Sequence, residues 1–211
     1  VEGGSTLWLV PQTADGLKSF GPFTGLGMRG NDSTPVQANG TIVSESAQLG
    51  ADGAGFQIMM ETVLPWFQIM NSACSIGLME AAVTRSCEHA SGTRYEHIET
   101  TLAELPTIRN YLARMRIKTD MARCLWLDTI AAMEAGRDDT MLRVLECKAA
   151  SGETATEVLD TAMRVCGGAA FRNDVGVERY FRDGRAATVM APTTDVLYDF
   201  IGKAVCGMDL F

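Results

Sequence analysis

The sequence predicts a mainly α protein: an antiparallel four-helix bundle preceded by a partial β-domain. Three observations carry this expectation. Residues 1–53 are rich in Gly, Ser and Thr and hold only short β-like runs, whereas from Gly55 onward apolar residues recur at helical spacing almost to the end. The helical part separates into four segments. The links between them are short, which favours antiparallel neighbours. With 211 residues, of which 46% are hydrophobic and 21% charged, the chain has enough apolar surface for a sizeable core.

The elements follow in order. Thr6–Val10 and Val36–Val43 read as strands, separated by the turn signals "ADG", "RGND" and "ANG". The change of period falls near "LGADGAG", residues 49–55, so the chain divides into a β-like region, 1–53, and a helical bundle domain, 54–211. A sheet of two or three strands is marginal alone, so the first region is expected to pack on the second region or on chain outside this sequence. The first helix runs from about Phe56 to His89. The second, about Leu102 to Ala135, carries Leu105, Ile108, Leu112 and Met115 as an apolar stripe, and Gly136 closes it. The third runs from about Thr140 to Val165, with an interruption at Gly152 left open, and "CGG" ends it. The fourth starts near Thr194, after Pro192 and Thr193, and reaches about Val205.

Charge and thiol usage narrow the function classes. A net charge of −8 argues against nucleic acid or an anionic membrane as partner. Thr62–Met79 is uncharged over a length that approaches a membrane span, but Pro65, Gln68, Asn71, Ser72 and Ser75 interrupt it, and no basic or aromatic flanks accompany it. A helix central to a large bundle or oligomer explains it better. The six cysteines are widely spaced without a Cys-x-x-Cys pair, and most fall in helical stretches as small buried hydrophobes, which fits a reducing, cytoplasmic setting. His89 and His97 lack metal-pair spacing, so no metal site is expected. No signal peptide is visible at Val1, and the opening "VEGGSTLWLVP" suggests an excerpt or a processed product.

Four stretches then occur in an order shared with one family: "LWLVPQTADGLKSFGPFTGLGMRGNDSTPVQ", the long apolar helix after "LGADGAGF", "KAASGETATEVLDTAMRVCGG" and "VERYFRDGRAATVMAPTTDVL". Together they resemble the C-terminal half of an acyl-CoA dehydrogenase, and the "GG…VERYFRD" block is the most specific part. The resemblance makes 1–53 the second half of a β-domain. The resemblance implies FAD as cofactor, an acyl-CoA or similar activated acid as substrate, and a homo- or hetero-tetramer in which a neighbouring subunit completes the flavin site. It also implies cofactor-binding roles for Arg94, Arg164, Gly167, Gly168, Thr193 and Asp195, and substrate-binding positions at Gln68 and Ala191.

The chain departs from the family pattern where proton abstraction should occur. The family removes the α-proton of an acyl thioester with a glutamate while the flavin accepts a hydride. One family position for that glutamate, nine residues after the Arg of the Arg-Asp pair, falls on Ala191, and the other falls on Phe67. Glu61, about six residues earlier than Phe67, is the remaining acidic candidate. The family's Asp-x-x-x-Arg pair near the CoA end of the ligand maps to Leu64 and Gln68, and the Gln three residues before Gly-Gly maps to Arg164.

Plain structural roles stand beside these expectations. Gly167-Gly168 fits a helix C-cap, Thr193, Thr194 and Asp195 fit an N-cap, Arg182-Asp183 fits a structural ion pair, and Arg94 fits a solvated face. Two alternatives to an α,β-desaturating flavoenzyme follow from the missing base: a catalytically silent subunit of a hetero-oligomeric dehydrogenase, or a flavin oxygenase or oxidase on the same scaffold.

Overall fold

A computed structural model describes residues 4–21 and 23–209. The chain forms two compact units, residues 1–67 and 68–211.

In the first unit the strands pair as two small antiparallel ladders. β1 (Leu7–Trp8) lies against β4 (Gln48–Leu49), with Leu7 opposite Leu49, and β2 (Leu17–Ser19) lies against β3 (Val36–Ala38). The strands are shorter than the β-like runs of the sequence; in the second run Gly40, at positive φ, follows the end of the β2–β3 ladder. Gly55 opens α1 (Gly55–Ile58), and its N–H donates to the Ser5 carbonyl at 2.6 Å. A Cβ there would come within 2.5 Å of that carbonyl oxygen, so only glycine fits. A π-helical turn, Met59–Val63, follows, and α2 (Leu64–Gly92) begins directly after it. Sequence periodicity expected the first helix but not the π turn, a feature often found at functional sites.

The second unit is built on long helices. α2 is followed by a hairpin of β5 (Arg94–Tyr95) and β6 (Thr100–Thr101), then by α3 (Pro106–Ala135) and α4 (Thr140–Cys166). Three short or medium helices complete it: α5 (Val177–Gly184), α6 (Ala186–Val189) and α7 (Thr194–Val205). Local chemistry sets the ends. Thr101 and Glu104 form a reciprocal capping box before α3, Pro106 takes the first helical position, and Gly136 closes α3 in the left-handed conformation at φ 59°. The α3–α4 corner is held by Arg137, which donates to Asp128 at 2.7 Å and Asp139 at 2.8 Å, and by Arg143, which donates to Asp139 at 2.9 Å.

α2 and α3 run antiparallel. The Trp126 indole donates to the Ile69 carbonyl at 2.9 Å, while Arg116 meets Glu80 at 2.6 Å further along both helices. α4 is the central element: Val144, Cys147, Lys148, Ser151, Ala155, Val158, Leu159, Ala162 and Val165 form its buried stripe. The main core joins Ile76, Met79 and Val83 of α2 to Ile108 and Met115 of α3 and to Val158, Leu159 and Ala162 of α4. A smaller cluster joins Leu145 and Ala149 of α4 to Leu197 of α7.

Several expectations change in detail. α4 passes Gly152 without interruption; a Cβ there would meet Thr188 and Ala187 only at ordinary contact distances, 3.5–3.7 Å, so the packing of α6 on α4 does not require glycine at this position. α5, α6 and the hairpin at residues 94–101 had no periodic signal, being too short to show one. Cys147 and Cys166 are buried as expected, but Cys74, Cys124 and Cys206 are exposed. No helix among the described residues is long and apolar enough to cross a membrane.

Candidate functional site

α6 is a single turn, and Met190 caps its C-terminus in extended conformation. The chain then turns through Ala191 and Pro192, joined by a cis peptide bond, to Thr193, the N-cap of α7. The Thr193 hydroxyl accepts from the Val196 N–H at 3.5 Å, so the capping role expected for this residue is present. Thr194 is buried, and its hydroxyl has no hydrogen-bond partner. Ala191 and Asp195 are exposed.

This corner needs help from outside, because a helix C-terminus leaves carbonyls unpaired and Pro192 has no N–H. Lys148 of α4 provides it. Its ammonium donates to the Met190 carbonyl at 2.7 Å and to the Pro192 carbonyl at 2.5 Å, on either side of Ala191. The lysine is 1% exposed. Burial pushes its pKa down to about 8. From α2, the Asn71 amide donates to the Met190 sulfur at 3.2 Å, while its carbonyl oxygen has no partner. One helical turn earlier, Gln68 is fully buried with both amide atoms unpaired. Gln68 and Ala191, the two expected substrate-binding positions, thus flank the Asn71–Met190 contact, one a turn earlier on α2 and the other next to Met190.

The other expected residues gather elsewhere. Arg164 lies near the C-terminus of α4, where its guanidinium donates to the Tyr111 hydroxyl at 2.8 Å and stacks over that ring at 4.8 Å. Gly167 caps α4 at φ 55°, and the space beside Gly167 and Gly168 is open, with no atom within 4 Å of an added Cβ. The C-cap role is therefore present, and it leaves backbone accessible. Arg94 is exposed on β5, and its charge contributes to lowering the pKa of Glu104, after the larger effects of the hydrogen bonds from Thr100 and Thr101. The Cys166 thiol lies 3.9 Å from the Ser86 hydroxyl of α2, and Arg94 follows the end of that helix, so Arg94, Arg164, Gly167 and Gly168 sit toward the same end of the unit.

The site residues of the second unit therefore form two groups. Gln68, Ala191, Thr193 and Asp195 lie at the level of Lys148, and Arg94, Arg164, Gly167 and Gly168 lie around the C-terminal end of α4 at Cys166. The helix between those levels measures about 27 Å at 1.5 Å per residue. In the first unit, Glu61 sits on the π turn and accepts from the Gln57 amide at 3.0 Å, and Phe67 is 37% exposed. Arg182, expected beside Asp183, donates to Glu178 at 2.7 Å, one turn back on α5.

Lys148 and Asn71 were missed by sequence reasoning. The signal was present for Lys148, which interrupts the apolar stripe of α4 in "VLECKAASG". A charged residue on a buried face is the informative exception.

Residues 53–206 match the model of the acyl-CoA dehydrogenase C-terminal domain. The chain belongs to the acyl-CoA dehydrogenase family. Its sequence is 25% identical over 201 residues to the mitochondrial very long-chain specific acyl-CoA dehydrogenase of Rattus norvegicus, covering 95% of this chain and 30% of the relative. Butyryl-CoA dehydrogenase from Megasphaera elsdenii has the same fold over 97% of this chain and 52% of its own, with a TM-score of 0.88 and 22% identity. PigA, in its structure with FAD and proline, matches 95% of this chain and 51% of its own, with a TM-score of 0.85 and 17% identity. The chain thus spans about a third to a half of the length of these relatives and corresponds to a C-terminal portion of the family.

Proposed function

We propose that this chain is the C-terminal portion of an FAD-dependent acyl-CoA dehydrogenase-family oxidoreductase acting on an acyl-CoA or a similar activated acid. The observation that carries the proposal is the family-domain match over residues 53–206. Two local features suit a bound flavin nucleotide. The backbone at Gly167 and Gly168 is open to close approach, and Thr194 and Gln68 keep buried polar atoms without partners, the condition in which a ligand's hydrogen bonds contribute most.

In this proposal Arg94, Arg164, Gly167 and Gly168 hold the phosphate-bearing part of a flavin nucleotide, and Thr193 and Asp195 meet one near the Ala191 corner. FAD supplies the hydride acceptor. The two groups of residues are too far apart along α4 to serve the same region of one ligand, which supports a homo- or hetero-tetramer in which each chain contributes to more than one flavin. Gln68 and Ala191 line the substrate end, and the β-domain ends at residue 53. The unpaired cysteines support a reducing compartment, which we take to be the cytoplasm.

Ala191 and Phe67 carry no proton-accepting group, and this favours one second proposal: a silent subunit beside a glutamate-bearing partner. Glu61 is the acid available to the active-enzyme version. The test is to purify the full-length protein, record its flavin spectrum and mix it anaerobically with a panel of acyl-CoA esters. Bleaching of bound flavin supports the dehydrogenase. A protein that stays colourless with added FAD overturns the flavoenzyme proposal. Bound flavin that no acyl-CoA reduces points to the oxygenase alternative, and equal co-purification with a second family member points to the silent subunit.

A further inference from the structure

A buried ammonium without a carboxylate is an unusual expense for a fold. Lys148 is one: it is 1% exposed, and both of its hydrogen bonds go to backbone carbonyls. Those carbonyls belong to Met190 and Pro192, so the two contacts bracket Ala191. The corner itself has few donors, since Pro192 has none and the Met190 N–H is used within α6, reaching Ala186. The orientation of Ala191, and with it the start of α7 at Thr193, is therefore set by a side chain from another helix.

We propose that Lys148 is a positioning residue, an N–H clamp on the carbonyls flanking Ala191 that fixes the α6–α7 corner on α4 whether its amine is protonated or neutral. The clamp stands on the geometry of this chain, whatever the ligand. Its consequence for activity, that Ala191 and Thr193 are held toward substrate and flavin, rests on the proposed function.

The clamp has a pH signature. Burial alone lowers the Lys148 pKa to about 8; no charged neighbour contributes to the shift. The titratable and charged groups on the adjoining elements near Lys148 include Glu146, Cys147 and Glu153 on α4, Arg185 at the start of α6, and Asp195, Tyr198, Asp199 and Lys203 on α7; burial raises the Cys147 thiol and the Tyr198 phenol. When the corner opens, Lys148 meets water and its pKa returns toward 10.5. Opening therefore takes up a proton, and the corner becomes harder to open as pH rises. With these two values the opening constant falls about tenfold from pH 7 to pH 9.

The experiment is hydrogen exchange on the full chain at pH 7, 8 and 9, corrected for the intrinsic hydroxide-catalysed rate and followed in peptides covering residues 186–197. In the wild-type chain the corrected opening should fall about tenfold across this range, with no such trend in α3 peptides. Lys148→Met and Lys148→Arg should both lose the trend, the first having no ionisable group and the second staying charged. A parallel titration of Lys18, Lys118, Lys148 and Lys203 by side-chain carbon NMR should show one lysine, absent from both variants, titrating well below the others. A wild-type corner with no pH trend overturns the clamp even if neither variant folds, as does a trend that survives in Lys148→Met. Because exchange is read without flavin, a protein that never binds FAD would remove the proposed function and leave this result intact.

Discussion

Gly184 ends α5 against the centre of α4 and tests how tightly that junction is packed. It is buried, and a Cβ at this position would overlap Cδ1 of Leu159 while lying 3.7 Å from Leu159 Cγ and 3.8 Å from Leu78 Cδ1. Leu159 is 1% exposed, so its methyl cannot be relieved by swinging into solvent. Gly184→Ala should gain about 1 kcal/mol of helix propensity but lose about 2–3 kcal/mol, the upper part of the overpacking range, to the overlap with Leu159, a net destabilisation of about 1–2 kcal/mol. Leu159→Ala should cost about 2–5 kcal/mol through lost burial and the cavity it leaves. The methyl that Gly184→Ala adds would enter that cavity, so the double variant should be more stable than the sum of the singles by about 1–2 kcal/mol. Urea unfolding followed by circular dichroism measures all four proteins. For a chain of this size, Gly184→Ala should lower Tm by roughly 2–8 °C. Strict additivity, or a rise in Tm for Gly184→Ala, would refute the packing described for this junction.

Other expectations follow from the same coordinates. Glu80 accepts from Arg116 and Arg123, and the hydrogen bond from Arg116 is the largest cause holding its carboxyl below the ordinary value of 4.5. Its stabilising contribution is therefore present above pH 4.5 and lost as pH falls through the lowered value, so Glu80→Gln should flatten part of the acid limb of the stability curve, measured by urea titration at successive pH. Trp126→Phe removes the indole bond to the Ile69 carbonyl and should cost about 1–3 kcal/mol, read from the denaturation midpoint. Thr193→Ala removes the α7 cap and should cost about 0.5–1 kcal/mol, with faster exchange confined to the first turn of α7. Burial raises the Cys147 and Cys166 thiols, so a thiol reagent at neutral pH should modify exposed Cys206 promptly and reach those two only on unfolding.

What the sequence by itself determined was periodic or punctuated. The apolar rows that became α2, α3 and α4 recur every three or four residues, and this local spacing survives any tertiary arrangement. Gly136 and the Pro192-Thr193-Thr194 run marked a helix end and a helix start because their backbone and capping preferences act within a few residues. The family resemblance was also legible, since it depends on the order of motifs along the chain.

Tertiary structure decided the rest. Strand ends, the π turn at Met59–Val63 and the short α5 and α6 are too brief to leave a period. The division of the site residues into two groups about 27 Å apart along α4 is a matter of helix length and pairing, which residue types do not encode. Lys148 shows the same limit. Its charge on an apolar stripe was visible in the sequence, but its role depends on two carbonyls more than forty positions away, and only folding brings a distant backbone within reach of an ammonium.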